Sequence, residues 1–468
     1  MSAGSTPTKR PRPKKRTQPI GNGSHARKKG TRKERYFDLL GRKLGPLTLR
    51  GWLEVLAVVI AGLVMYNILF VRRLLVEYKP HHSFTVRSPE FFSSAHASAD
   101  PLPIVGNKVT ILHNGVGTFP VMLQAIRQAQ KTVNFEAFLF NSGEVADQFI
   151  QAFCERALAG VQVRIILDGI GSGTALKDSD VRRLEDAGCK FAYYHPTRAL
   201  RVDRINRRTH RRILVVDGRE AFTGGIGFSD EWQGNAANKD EWRDVHAKIE
   251  GPVVAKFQSA FQQHWLGETE EILTGSDHFP VLAEAGTLRT QVTSSNEFTV
   301  AAIPLIQAVA IAAAERTIYI TNPYCTLTDD QVELLRDAVK RGVDVRLLLP
   351  GLHNDQPLTK SAGRGAYQKL LEGGVKIFEY TPTMIHSKTM VVDGMFSIIG
   401  TSNLDARSAQ INDEIDLSIY DESFGREMEK IFLGDLEHSK PYTEEDLKRR
   451  SVKERIIEWI VEPFRSQL

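Results

Sequence analysis

At 468 residues, 42% hydrophobic and 25% charged, the chain is long enough for two globular domains or one duplicated domain. Its net charge of +5 hides an asymmetry: residues 1–50 hold 15 Lys or Arg against Glu34 and Asp38, an excess of 13 that leaves the remaining residues at −8. A net-acidic folded part argues against a nucleic-acid groove, which needs clustered cations. Cys154, Cys189 and Cys325, far apart and without CxxC spacing, exclude a disulfide framework and a zinc site.

In chain order, residues 1–50 are rich in Lys, Arg, Pro, Gly and Ser without apolar periodicity, which predicts a disordered basic tail suited to an anionic surface. Residues 55–71, VLAVVIAGLVMYNILFV, carry no charge and sit between Trp52 and the pair Arg72 and Arg73. Such a run approaches the ~20 residues of a bilayer crossing. A single transmembrane helix is expected over 51–75, with a buried helix as the alternative. The long basic lead and the lack of a small-residue cleavage pattern argue against a cleaved signal peptide. Positive charge places the N-terminus on the cytoplasmic side of a cell membrane and the rest of the chain on the opposite face. Residues 76–106, with Pro and Ser, read as linker.

Beyond residue 106 the chain repeats itself. The helix FPVMLQAIRQAQ, strand TVNFEAFLF, helix VADQFIQAFCERALAG and strand VQVRIILDG return as IPLIQAVAIAAAER, TIYITNPYC, DQVELLRDAVKRG and VDVRLLLPG. Helices alternating with β-branched, nearly continuous apolar strands predict an α/β fold, each half a mixed sheet flanked by helices. The two copies are placed at 107–272 and 285–435, and 436–468 as a C-terminal amphipathic helix.

Each copy then reaches a polar strand and turn: THRRILVVDGREAFTGG at 209–225 and MIHSKTMVVDGMFSIIGTSNLDARS at 384–408. In the second, His386, Lys388 and Asp393 follow the pattern H-x-K-x4-D, with Asn403 seventeen residues after the His. Strand alternation puts His386 and Lys388 on one face. A cation there neutralises phosphate oxygens while an imidazole attacks phosphorus or transfers a proton. A lone His-x-Lys is most often surface decoration; its repetition supplies the two imidazoles, nucleophile and acid, that a displacement at phosphorus needs.

These stretches resemble the paired HKD motifs of the phospholipase D superfamily, and TNPYC, VDVRLLLPG, WRDVHAKIEGPVV and NLDARSAQINDEIDLSIYD are similar to its bacterial cardiolipin synthases. The resemblance covers about residues 107–435. It implies two pseudo-symmetric domains with one active site at their interface, a phosphohistidine intermediate, phosphatidylglycerol as substrate, and no metal or other cofactor. It makes His210 and His386 the catalytic pair, His210 the nucleophile, Arg212 and Lys388 phosphate clamps, and Glu414 and Asp244 the acids that orient imidazoles. Asp217 and Asp393 are expected to brace the two halves. Asn403, Thr401, Gly225 and Gly227 would face substrate. Two positions depart from the family pattern: Arg212 stands for Lys, and Gly227 for a common Asn.

Among the remaining candidates, His113, His195, His246, His264 and His353 read as structural or solvated, with His246 drawing notice beside Asp244. Trp232 and Trp242 suit either a substrate entrance or core packing, and HNDQPL at 353–358 reads as a loop at a strand's C-terminal end, where α/β ligands bind. The expected activity is formation of cardiolipin by a membrane-bound phosphatidyltransferase. A phospholipase D that lets water resolve the same intermediate is the alternative, on phospholipid or less readily nucleic acid, and a catalytically dead lipid-binding scaffold is the reading from another class.

Overall fold

The computed structural model describes residues 49–70, 80, 82–98, 102–173, 175–196, 206–296 and 302–461. The expected disordered tail lies outside them apart from its last two residues. The chain divides into two compact units, Met1–Leu75 and Val76–Leu468. The first unit holds the 22-residue helix Leu49–Phe70, whose Trp52, Leu56, Val58 and Val59 are exposed. Among the described residues no helix is long and apolar enough to cross a membrane. The crossing expected over 51–75 is therefore not shown: this helix covers 51–70 of it without meeting that requirement, and 71–75 lie outside the described residues.

In the second unit, the first half contributes strands β1 Ile104–His113, β2 Thr132–Ala137, β3 Gln162–Asp168, β4 Lys190–Tyr194, β5 Ile213–Val216, β6 Glu220–Gly224 and β7 Val245–Glu250. The second half follows with β8 Leu288–Ser294, β9 Thr317–Thr321, β10 Cys325–Thr326, β11 Asp344–Pro350, β12 Lys376–Tyr380, β13 Thr389–Val392, β14 Phe396–Gly400, β15 Leu404–Asp405, β16 Ile415–Tyr420 and β17 Ser439–Tyr442. One 15-stranded sheet runs β4-β3-β2-β5-β6-β7-β1 and continues β8-β16-β14-β13-β9-β11-β12-β17. Apart from the edge strand β17, the second run is the first reversed, with β1 and β8 antiparallel where the halves meet.

The outer strands of each half are parallel, β2-β3-β4 and β9-β11-β12, and the continuous apolar runs follow from burial on both faces. Helices Asn114–Gln128 and Glu144–Leu158 cover one face of the first half, and Val254–Thr269 the other. Val245 and Ile249 share a buried cluster with Ile399, Ile415 and Leu417, so the halves are joined by common core as well as by sheet. Burying each such side chain contributes ~1.5–3 kcal/mol.

Two expectations change here. Residues 82–98, within the expected linker, carry the helix Pro89–Ser98. Phe91 is fully buried and lies 5.2 Å edge-on from Phe396, because Val86, Phe91 and Ala95 form an apolar face that the Ser-rich composition hides. The C-terminal stretch opens as strand β17 paired with β12, followed by helices Glu444–Lys448 and Val452–Val461, in place of one amphipathic helix.

The motif aspartates also differ from expectation. Asp217 and Gly218 (φ 51° and 61°) and Asp393 and Gly394 (φ 55° and 58°) occupy the left-handed positions of the β5–β6 and β13–β14 hairpin turns. The Asp217 carboxylate accepts the backbone N–H groups of Gln130, Lys131 and Thr132. Asp393 takes those of Glu315, Arg316 and Thr317. Each aspartate ties its hairpin to the start of β2 or β9 inside its own half. They brace the halves internally, not to each other.

Candidate active site

Each HKD segment enters its strand through a short parallel bridge to the opposite half. Thr209 pairs with Asp413, and Arg243 with Ile385. His210 N donates to Asp413 O at 2.8 Å, and His386 N to Arg243 O at 2.8 Å. In a parallel bridge the next residues also meet, so Glu414 comes beside His210 and Asp244 beside His386.

The contacts are short. Nδ1 of His210 lies 2.9 Å from both oxygens of Glu414, and Nδ1 of His386 lies 3.1 Å from Asp244 Oδ2 and 3.0 Å from the Gly225 carbonyl. Nδ1 of His210 meets acceptors alone, and Nδ1 of His386 meets two acceptors and, at 2.9 Å, Lys388 Nζ; a proton on each Nδ1, bonded to its carboxylate, leaves the Nε2 lone pair for chemistry. Arg212 sets both terminal nitrogens 3.3–3.4 Å from His210 Nε2. Lys388 Nζ lies 3.0 Å from His386 Nε2. Both cations also donate to the carbonyl of their own His, at 3.0 and 2.8 Å.

Both imidazoles open on one cavity of about 360 Å³. Burial, followed by the nearby Arg212 and Lys388, holds His210 well below its ordinary pKa. Burial and Lys388 push His386 down to about 4, against the pull of Asp244. Burial drives Lys388 well below its usual range, with Arg212 adding to the effect. Arg212 and Lys388 oppose each other's charge, and a phosphodiester between them would relieve that repulsion.

The two orienting carboxylates differ. Burial raises Glu414 to about 7, although the hydroxyls of Thr401 (2.6 Å) and Ser408 (2.7 Å) donate to it. Burial also pushes Asp244 upward, but bonds from His386 and from Trp232 Nε1 (2.8 Å) outweigh it, and its pKa is lowered.

Of the expected substrate-facing residues, only Asn403 lines the cavity, and its buried Oδ1 has no partner. Thr401 holds Glu414. Gly225 accepts from His386, and a Cβ there would fall 2.2 Å from Asp244 Oδ1. At Gly227 a Cβ would lie 2.9 Å from the Trp232 ring, so the indole occupies the space an Asn side chain would need.

Trp232, Trp242 and the loop residues Asp355 and Gln356 line the cavity, as the entrance and loop readings anticipated. His246 is buried, pushed down to about 3 by burial, with no partner for Nδ1. His264 lies 2.6 Å from Glu136 and 3.2 Å from Asp413; burial opposes its charge, but these carboxylates raise its pKa. Arg407, Asp405, Asn412, Tyr324 and Phe138 also line the cavity and were missed. Arg407 and Asp405 stand in NLDARS just after Asn403, and Tyr324, which donates to Asp355 at 2.7 Å, stands in TNPYC, signals within reach; Phe138 carries none. Among the described residues, no group of three or more His, Cys, Asp or Glu is arranged to hold a metal.

The family model described as cardiolipin synthase, PLD-like domain, matches residues 122–265 and 308–436. Cardiolipin synthase A of Pseudomonas fluorescens (strain SBW25) is 35% identical over 365 residues, 76% of this chain and 75% of that one. Cardiolipin synthase of Clostridium perfringens (strain SM101 / Type A) is 32% identical over 364 residues, 76% of each. The crystal structure of phosphatidylserine synthase from Haemophilus influenzae Rd KW20 aligns with a TM-score of 0.62 at 14% identity, over 80% of this chain and 98% of that chain. At that identity the likeness speaks to the fold alone.

Proposed function

The chain belongs to the cardiolipin synthase family of phospholipase D-like proteins, and from that premise we propose that it joins two phosphatidylglycerol molecules into cardiolipin, releasing glycerol. The observation that carries this is the cavity itself: two imidazoles, each with Nδ1 held by a carboxylate from the other half, beside buried cations. One histidine, one cation and one carboxylate per half also support a duplicated origin, with domains at 107–272 and 285–435.

In this reading the Nε2 lone pair of His210 attacks phosphorus of the first phosphatidylglycerol while Arg212 and Lys388 balance charge on the equatorial oxygens. The phosphorus–oxygen bond to the glycerol headgroup breaks. Imidazolium His386 gives that oxygen its proton, and a phosphatidyl group remains on His210. Neutral His386 next takes the proton from a glycerol hydroxyl of the second phosphatidylglycerol, whose oxygen attacks phosphorus and frees His210. His386 suits the acid role because its partner Asp244 is held ionised, whereas His210 is kept more firmly neutral. The anion of bound substrate raises the pKa of both.

The exposed apolar side chains of Leu49–Phe70 support attachment to the membrane that holds this substrate. The basic tail favours a cytoplasmic N-terminus and a catalytic unit on the opposite face, which protease access to residues 1–50 in sealed vesicles of known orientation tests.

Membranes containing the protein or its His386→Ala variant are incubated with labelled phosphatidylglycerol, with and without chelator. Cardiolipin and glycerol in equal amounts from the parent alone, unaffected by chelator, are expected. Phosphatidic acid without cardiolipin would make the protein a phospholipase D. Turnover that persists in the variant would overturn the two-histidine mechanism.

A further inference from the structure

The helix Val452–Val461 buries Val461 but leaves an apolar stripe uncovered. Four of its exposed side chains are apolar: Val452 (73%), Ile456 (52%), Trp459 (79%) and Ile460 (53%). They follow the i, i+4, i+7, i+8 spacing of one helical face. Its two glutamates lie on the opposite side, the Glu454 side chain 43% exposed and that of Glu458 mostly buried. Glu454 is bonded to Arg364 at 3.0 Å on the helix Pro357–Glu372, and Glu458 pairs with Arg450. An apolar stripe that served core packing would be turned inward, with its glutamates in water. Exposed Lys453 and Arg455 flank the stripe on its two sides.

An apolar face bordered by cations, with carboxylates neutralised behind it, matches an anionic lipid surface in both hydrophobicity and charge. A protein partner of this acidic unit, or a second copy of it, would gain nothing from those cations unless it brought its own acidic rim. We propose that the Val452–Val461 helix docks on the bilayer, with Val452, Ile456, Trp459 and Ile460 in the acyl boundary and Lys453 and Arg455 on anionic headgroups. The docked helix leans through Glu454 and Arg364 on the helix Pro357–Glu372, which begins directly after Asp355 and Gln356 of the catalytic cavity. Docking therefore fixes the cavity's entrance loop relative to the lipid surface. The inference deepens the proposed lipid activity and rests on it only for its purpose; the contact itself is read without turnover.

The test uses the full chain in proteoliposomes. Ile460→Cys, and separately Val452→Cys, is labelled with an environment-sensitive fluorophore, with the identically treated parent as blank for Cys154, Cys189 and Cys325. In vesicles containing phosphatidylglycerol the label emission should shift to the blue and be quenched by nitroxide-bearing lipid. Lys453→Gln and Arg455→Gln should each reduce the membrane-embedded fraction about fivefold. A blue shift in detergent without lipid, growing with protein concentration, would assign the face to a second copy and overturn the proposal, as would no shift at either position. Trp459→Glu should lower turnover of vesicle-borne phosphatidylglycerol several-fold while sparing a monomeric short-chain analogue. Loss of turnover on both substrates, with the labels still embedded, would count against the catalytic reading and leave the docking intact.

Discussion

The two half-sites share one plan but differ in composition. The second half presents His386 with Lys388, a point charge 3.0 Å from Nε2; the first presents His210 with Arg212, a planar fork. The acids are exchanged between halves and unequal: Glu414 from the second half serves His210, and Asp244 from the first serves His386. Glu414 is raised to about 7, while Asp244 is held ionised. Duplication therefore supplied a symmetric frame, and unequal acids divide the labour within it. Each histidine takes its carboxylate partner from the other half.

The strongest way to break the comparison is to remove each imidazole. His210→Ala and His386→Ala should each abolish cardiolipin formation, but for different reasons. With an analogue carrying a p-nitrophenol leaving group, no acid is needed to expel it. His386→Ala should then still release nitrophenol in a burst, within about tenfold of the parent rate, whereas His210→Ala should release none. Acid catalysis is worth roughly a hundred- to ten-thousandfold, so the rescue is easily read. A burst from His210→Ala alone would exchange the roles.

Much of this plan is legible in the sequence because it repeats. The sheet strands and both histidines announce themselves through two copies of one pattern. What stays hidden is relational. The crosswise pairing of Glu414 with His210 depends on the Thr209–Asp413 bridge between segments about two hundred residues apart, and no spacing rule encodes it. Asp217 and Asp393 look like members of the site because they sit in its motif, yet their carboxylates are consumed by backbone donors of the same half. Gly227 reads as a missing amide until Trp232 is seen to fill the space. Phe91 is hidden for the opposite reason: a Ser-rich neighbourhood masks an apolar face.

The carboxylates sharpen the comparison next, through pH. Glu414 has its folded pKa raised from 4.5 to about 7. Its contribution to stability is full below 4.5 and is lost as pH rises to about 7. Asp244 has its folded pKa lowered from 3.8, so its contribution is present above 3.8 and is lost as pH falls below that value. Glu414→Gln should gain stability on the parent as pH rises from 4.5 to 7, by up to about 3 kcal/mol at ~1.4 kcal/mol per unit. Asp244→Asn should be less stable than the parent at neutral pH, and the gap should close in acid. Both should lose roughly a hundredfold or more in kcat, and the parent's acid limb of kcat/KM near pH 7 should vanish in Glu414→Gln. Thermal melts across pH and initial rates check both statements; parallel melting curves would remove the asymmetry.

A smaller effect should come from forcing the halves to look alike at residue 227. Gly227→Asn places a Cβ 2.9 Å from the Trp232 ring, and overpacking of this kind costs about 1–3 kcal/mol. The indole that must move also donates to Asp244, so the damage should reach His386, on the other half, rather than stay local. The expected signature is a lowered Tm together with a shifted pH profile for the acid step. Trp232→Phe alone, which removes the donor and keeps most of the bulk, should shift the profile with little loss of Tm.

The mildest change exchanges the cations. Arg212 Nε is buried without a partner and its terminal nitrogens make three contacts to His210, so the guanidinium, with five N–H groups, holds donors in reserve. Arg212→Lys keeps the charge and surrenders the fork, a loss of about tenfold in kcat/KM, roughly one charge-assisted hydrogen bond. How the loss divides is informative. If the fork grips the phosphodiester equally in ground and transition states, KM rises and kcat stands; if a reserved donor meets an oxygen only as charge builds on the five-coordinate phosphorus, kcat falls and KM stands. The geometry favours the second. The terminal nitrogens of Arg212 already lie 3.3–3.4 Å from Nε2 of His210, the atom that must travel toward phosphorus, so their N–H groups are placed for the oxygens that approach with it. Lys388→Arg, measured alongside, should affect KM more, because a longer fork beside His386 crowds the leaving headgroup.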